Sequence, residues 1–165
     1  IAPMVNSKAD AEALVSFTKY PPLGERSWGP TLALNHTGIS ASDYLKTAND
    51  LTVTIAMVET RAALAAVDDI LGVDGIDGIF VGPSDLSIAL SNGASLDPLS
   101  KDVDKEIDRI IAAAKKAGKI PGAYCHSAER AAALAKRGMR FIAVSSDMMF
   151  LRAGAAAQMK VLKGG

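Results

Sequence analysis

Two acidic residues directly follow two predicted β-strands, and their chemistry suits metal binding. LTVTIAMV is rich in β-branched residues, as a strand buried on both faces requires, and it ends at Glu59. GIDGIFV predicts a second strand, and GPSDLS places Asp85 just beyond it. Because TRAALAAVDDILG between them reads as a helix, the strands run parallel and both carboxylates lie at one sheet edge. Two hard oxygen ligands there suit a divalent cation such as Mg²⁺, which also binds water and substrate.

The turn between the second strand and Asp85 is a candidate substrate-binding element. Gly82 lets a ligand approach the backbone, and the peptide N–H groups of the Pro83-Ser84 turn are able to bind a carboxylate. GPSD also suits an ordinary strand-to-helix turn, and acidic residues favour helix N-termini without any metal. The two carboxylates taken together favour the metal site over simple helix capping.

Five strand–helix units in strict alternation predict an α/β fold with a parallel sheet. The strands are predicted in IAPMV, LTVTIAMV, GIDGIFV, KIPGAYC and FIAVSS. A five-stranded, flavodoxin-like doubly wound sheet is one solution. The other is strands 4–8 of a (β/α)8 TIM barrel, for which about 250 residues is typical. Since the chain opens on Ile1 rather than Met, we favour a single barrel domain over residues 1–165 with an N-terminal part absent.

The helices and loops between these strands are also predicted from the sequence. Ser7 caps a helix reaching about Tyr20, SDYLKTAND is a short helix, residues 100–117 form an amphipathic helix, and Ser127 caps a helix ending at Gly138. Residues 21–41 and SIALSNGASLDP read as loops. The final helix runs from Asp147 to the terminal glycines and is apolar on nearly all sides, so we expect it to bury more than one face.

Composition indicates an ordinary soluble globular protein. The 165 residues are 49% hydrophobic and 22% charged with a formal net charge of zero, which predicts no nucleic-acid or membrane partner. No apolar run is long enough to span a bilayer. The single Cys125 excludes an internal disulfide and fits a reducing compartment, so we expect a cytoplasmic protein.

The motifs that carry the two carboxylates resemble the HpcH/HpaI family of class II pyruvate aldolases. MVET followed by VGPSDLS is close to the family pattern, and the resemblance extends to KYPPLGERSWG, SDYLKTAND, AGKIPGAY and FIAVSSD. It implies a TIM barrel and a carbon–carbon lyase that cleaves a 4-hydroxy-2-oxo acid, such as 4-hydroxy-2-oxoheptanedioate, to pyruvate and an aldehyde. Glu59 and Asp85 would be the catalytic metal ligands for Mg²⁺, Mn²⁺ or Co²⁺, and that cation would stabilise a pyruvate enolate.

The resemblance also assigns substrate contacts, and at three of these positions, Met57, Trp28 and Tyr124, the chain differs from the residue that is common in the family. The Ser84 amide would hold the pyruvate carboxylate. Met57 stands where the family commonly has Gln, and a thioether cannot donate a hydrogen bond. Trp28 and Tyr124 fall where the family surrounds the aldehyde half of its substrate, or alternatively pack against another subunit. The family's general-base His and enolate-stabilising Arg match no residue in this chain, and neither His36 nor His126 takes that role.

The family resemblance implies a homo-oligomer built from dimers, with a hexamer as one form. It also implies that the subunits exchange their C-terminal helices. Two other functions remain open. One is a related lyase of the citrate-lyase-β or malyl-CoA-lyase type, which shares the barrel and the paired carboxylates. The other is a catalytically silent structural subunit, which Met57 and the unassigned base favour.

Overall fold

The computed structural model describes residues 1–164 of the chain as helices arranged around a parallel sheet. The elements in chain order are α1 (Lys8–Thr18), α2 (Thr31–Thr37), α3 (Ala41–Leu51), β1 (Ile55–Val58), α4 (Arg61–Ala65), α5 (Val67–Leu71), β2 (Gly78–Val81), α6 (Pro83–Leu90), α7 (Lys101–Lys116), β3 (Ile120–Cys125), α8 (Ala128–Arg137), β4 (Phe141–Val144) and α9 (Asp147–Leu162). Within the described residues, no helix is both long and apolar enough to cross a membrane.

The strand order decides between the two predicted architectures. The sheet order is β1-β2-β3-β4, every neighbouring pair is parallel, and each strand lies beside the strand that precedes it in the chain. In a flavodoxin-like sheet of order 2-1-3-4-5, the second predicted strand, which forms β1 here, would lie at the edge beside IAPMV and would not pair with the third, which forms β2. The direct β1–β2 pairing excludes that alternative. Consecutive parallel strands with helical crossovers are the pattern of a segment of a (β/α)8 barrel, which confirms the favoured fold class.

The first predicted strand, IAPMV, is wrong as a strand, because only Ala2 pairs with the sheet. Ala2 forms a parallel bridge to Ala56, donating its N–H to Ile55 and accepting from Met57. Pro3 then has no N–H to donate. Met4 adopts a left-handed conformation with φ 57° and donates its N–H to a side chain, Glu59, rather than to a neighbouring strand. The ladder therefore stops after one residue.

The two faces of the sheet have different environments. Every second residue of β1, β2 and β3 lies on the face that packs with the helices in the main core: Ala56, Val58, Ile79, Val81, Ala123 and Cys125. Helix α7 supplies a buried stripe to that core, formed by Val103, Ile107, Ile110, Ile111 and Ala114. On the opposite face, Phe80 and Phe141 meet edge to face at 5.9 Å. Gly122 is on β3, between the strands that carry Phe80 and Phe141. A Cβ at this position would stand 2.9 Å from the Phe80 ring.

Several helices agree with the sequence, and two predicted loops do not. Ser7, Ser40, Ser100, Ser127 and Ser146 each cap a helix by accepting a backbone N–H, at or near the predicted starts. The predicted loop at 21–41 contains α2, and SIALSNGASLDP begins inside α6. Pro83 at the first position of α6 and the burial of Leu86 and Ser87 explain why helix forms there. The helix predicted between β1 and β2 divides into α4 and α5 at Ala66.

The last helix, α9, is the expected continuous helix, but none of its residues is buried in this chain. Its large apolar side chains are about half exposed or more: Met148, Met149, Phe150, Leu151, Met159, Val161 and Leu162. The burial expected for this helix therefore does not occur within the described residues. The expected end at Gly164-Gly165 is described only as far as Gly164.

Candidate active site at the carboxyl ends of the strands

Six of the seven residues predicted to contact substrate line one pocket at the carboxyl ends of β1, β2 and β3. The pocket has a volume of 230 Å³ and is lined by Met57, Phe80, Gly82, Pro83, Ser84, Asp85 and Tyr124. Met57 and Phe80 are direct neighbours in the parallel register, so their side chains share one face of the sheet. Placing these residues together follows from the parallel sheet, since its carboxyl edge gathers the loops that follow each strand.

Glu59 is buried beside this pocket, with only 4% of its surface exposed. Val58 before it faces the core, so the alternation of the strand turns Glu59 toward the opposite face. Its Oε1 accepts the Met4 backbone N–H at 2.9 Å. Its Oε2 faces Gly82 so closely that a Cβ on that residue would collide with it. Gly82 is therefore required as glycine by the position of the carboxylate rather than by an unusual backbone angle.

Asp85 lies in the first turn of α6 and lines the pocket. Its side chain is exposed and accepts no hydrogen bond from the described residues. The backbone N–H groups of Ser84 and Asp85 occupy the first turn, where intrahelical acceptors are lacking. A carboxylate and two free N–H donors thus stand together at the start of α6, next to the pocket.

The donor set fits a hard divalent cation. Glu59 has one carboxylate oxygen held by the Met4 N–H, while the described residues donate nothing to the other. That second oxygen, Oε2, lies against Gly82 of the pocket and is available to a cation or to water. Mg²⁺ is commonly held by one or two carboxylates, with water and substrate oxygens completing its octahedron. In the described part of the chain, no cluster of three or more His, Cys, Asp or Glu residues surrounds such a position.

Trp28 is the predicted contact residue that lies elsewhere. Its ring packs against Tyr20 at 5.6 Å and against Tyr44 at 6.3 Å, and half of its surface is exposed. It does not line the 230 Å³ pocket. Its predicted position near the aldehyde half of a substrate therefore has no support from this pocket.

Sequence reasoning missed two contributors to the site. Phe80 lines the pocket, and the available signal was its position two residues before Gly82 on the same strand face. The Met4 backbone N–H donates to Glu59. A contact between a main-chain donor and a side chain 55 residues away leaves no pattern in the sequence from which it could be predicted. His126 does not line the pocket, but its ring packs edge-on against Tyr124, which does, with 4.8 Å between the ring centroids.

Fold and site together define a class: an α/β chain of barrel type whose ligand pocket lies at the carboxyl ends of parallel strands. The sequence pattern of the HpcH/HpaI aldolase/citrate lyase family matches residues 1–153. The chain belongs to that family.

Individual relatives agree with this assignment. A hydroxypyruvate/pyruvate aldolase from Rhizorhabdus wittichii is 41% identical over 94% of this chain and 61% of the relative. A 4-hydroxy-2-oxo-heptane-1,7-dioate aldolase from Klebsiella pneumoniae is 36% identical over 95% of this chain and 58% of the relative. The crystal structure of an HpcH/HpaI aldolase from Desulfitobacterium hafniense superposes with a TM-score of 0.85 at 27% identity, covering 99% of this chain and 63% of that one. The chain thus spans about three fifths of the length of the relatives it matches.

Proposed function

We propose that this protein is a metal-dependent aldolase that cleaves a 4-hydroxy-2-oxo acid to pyruvate and an aldehyde. One observation supports the proposal: Glu59 Oε2 lies against Gly82, and Gly82 lines one pocket together with Ser84 and Asp85. Relatives named as pyruvate aldolases supply the substrate class. The aldehyde and the choice among Mg²⁺, Mn²⁺ and Co²⁺ are parts of this proposal.

Each residue of the site has a role in that reaction. Glu59 and Asp85 would hold the divalent cation, and the bound cation would supply a Lewis acid that stabilises the enolate charge. Ser84 donates its backbone N–H to the pyruvate carboxylate at the start of α6, where the helix dipole also favours an anion. Met57 presents a thioether to the pocket and packs without donating. Tyr124 and Phe80 contribute aromatic rings to the wall of the pocket.

Calorimetric titration of the gene product with Mn²⁺ tests the site directly. We expect Glu59→Gln and Asp85→Asn each to weaken Mn²⁺ binding at least tenfold, because each removes one charged ligand. The double variant should be little worse than either single variant, since both residues act through one ion. Asp69→Asn, which removes an exposed charge on α5 outside the pocket, is the control.

Helix capping without metal predicts a different result from the same variants. Loss of the Asp85 charge would then lower stability by about 1 kcal/mol and leave Mn²⁺ titrations unchanged. Absence of Mn²⁺ binding in the parent, or undiminished binding in both single variants, would refute the proposal. Exchange of the pyruvate methyl protons in D₂O, abolished by chelator and restored by Mn²⁺, gives the matching activity readout.

We also propose that α9 packs between subunits of a homo-oligomer. The support is that seven large apolar side chains of α9 are about half exposed or more, whereas exposed apolar residues on an ordinary surface are scattered singly. Deletion of residues 148–165 should lower the molar mass measured by light scattering. An unchanged mass after the deletion would exclude subunit contacts through α9.

We further propose that the enzyme is cytoplasmic. Its one cysteine, Cys125, is free and buried, and burial raises the pKa of the thiol, which keeps it unreactive. Such a thiol has no disulfide role that would call for an oxidising compartment.

A further inference from the structure

A second pocket lies at the opposite end of the sheet, where β3 and β4 begin. Its volume is 440 Å³, and its lining comprises Ile111, Lys115, Gly118, Lys119, Pro121, Arg137, Gly138 and Arg140. Four of these eight residues are cationic, and none of the described residues lining it is acidic. In a protein with 18 basic and 18 acidic residues, that concentration of one sign of charge is a local feature of this pocket.

Charges at helix ends account for only part of this set. The last turns of α7 and α8 carry Lys115 and Arg137, where cations offset the negative end of a helix dipole. Lys119 and Arg140 instead lie beyond the helices, on the segments that enter β3 and β4. The two helix ends together contribute about one negative charge, and Asp104 and Asp108 offset Arg137, so Lys115, Lys119 and Arg140 leave the pocket net positive.

Two of the cations are fixed in place, and two are free to meet a ligand. Arg137 bonds to Asp104 and Asp108 through its guanidinium, and Lys119 donates to the Ile76 carbonyl at 2.6 Å. Lys115 and Arg140 are exposed and form no ion pair within the described residues. The Arg140 N–H bonds to the Pro121 carbonyl, which holds the Arg140 backbone against the start of β3.

The rest of the pocket is apolar. Pro121 and the edge of buried Ile111 form its lining beside Gly118 and Gly138, which add no side chain. A pocket of this volume matches those that hold small organic molecules. The pocket lies where the chain enters β3 and the edge strand β4. The pocket therefore combines cationic side chains with an apolar lining.

We propose that this pocket binds a small organic phosphate, with the phosphate between Lys115 and Arg140, beside the fixed Lys119, and the organic part against Pro121 and Ile111. Lysine and arginine form charge-assisted hydrogen bonds to phosphate oxygens, and Arg140 is able to do so through two N–H groups. The site is distinct from the pocket at the carboxyl ends of the strands and does not depend on the aldolase proposal.

The test is a calorimetric titration of the gene product with phenyl phosphate. We expect saturable binding, at least tenfold weaker binding of inorganic phosphate, and no binding of phenol. The double variant Lys115→Ala/Arg140→Ala should weaken phenyl phosphate binding at least tenfold, since it removes two charge-assisted contacts. Lys116→Ala is the matched control, because Lys116 adjoins Lys115 on α7 without lining the pocket.

Three results would overturn the proposal. One is an absence of saturable phenyl phosphate binding, and another is equal weakening by Lys116→Ala. The third is equal affinity for phenyl phosphate and inorganic phosphate, which would show that the apolar lining takes no part. Thermal melts of every variant in buffer alone separate loss of binding from loss of fold.

Discussion

Replacement of Gly82 by alanine probes the packing on which the proposed metal site depends. The backbone of Gly82 has φ −91° and ψ 91°, which alanine also adopts, so the added methyl group is the main perturbation. That methyl would collide with Glu59 Oε2 and lie 3.3 Å from the Met57 methyl group. Met57 is flexible and able to move away. Glu59 is restrained, because its other oxygen accepts the Met4 N–H at 2.9 Å.

The expected cost follows from that restraint. To admit the methyl group, the Glu59 carboxylate has to shift and weaken its bond to Met4. Hydrogen bonds to charged groups contribute about 1.5–3 kcal/mol, and extra atoms in a packed site cost about 1–3 kcal/mol. We expect Gly82→Ala to lower the free energy of unfolding by about 2 kcal/mol. Because the displaced carboxylate is a proposed ligand, Mn²⁺ affinity should fall as well.

Urea denaturation followed by circular dichroism measures the cost. Gly29→Ala is the control, since a Cβ there meets nothing within 4 Å. In a Glu59→Ala background the collision is removed, so adding Gly82→Ala should cost little, and the two changes should be strongly non-additive. The reasoning fails if Gly82→Ala matches the Gly29→Ala control, or if its cost is the same with and without the Glu59 side chain.

Two further predictions concern the helical layer. Hydrogen bonding to the Arg130 guanidinium, with a smaller contribution from Arg137, holds the pKa of Asp104 below its ordinary value of 3.8. A lowered folded-state pKa contributes stability above the unfolded-state pKa and loses it as pH falls, so Asp104→Asn should flatten the loss of stability below about pH 4. With 42% of its side chain exposed, Asp104 should contribute less than about 1 kcal/mol, and an unchanged acid limb in urea titrations would contradict its role. Ile110 is fully buried on α7, so Ile110→Ala should cost about 2–5 kcal/mol, whereas a loss below 1 kcal/mol would mean that the core relaxes around the cavity.

The sequence predicted the elements whose signal is local. The 3.6-residue spacing of apolar residues in α7 and the serine caps depend on neighbours a few positions away. The grouping of Met57, Ser84, Asp85 and Tyr124 at one pocket also followed, because parallel strands bring their carboxyl ends to one edge. These predictions required only periodicity and the direction of the strands.

Predictions failed where distant contacts override local preference. IAPMV has strand-like residues, yet the Met4 N–H bonds to a carboxylate 55 residues away and the ladder ends. LTVT before β1 is β-branched, but Thr54 donates its N–H to the Asp77 side chain and α3 continues to Leu51. Trp28 packs with Tyr20 and Tyr44, and its contact with substrate stays a prediction. No pattern within a short window records such partners.

The consecutive strand order has a consequence for how the chain folds. Each of β2, β3 and β4 pairs with the strand made just before it, so its partner already exists when it is synthesised. Long-range loop closure, which slows the folding of many sheets, is limited here to single crossovers. The sheet can therefore assemble strand by strand as the ribosome extends the chain, each new strand docking on the last. During synthesis, the exposed edge that invites aggregation would always be the newest strand, and the next unit to emerge would cover it.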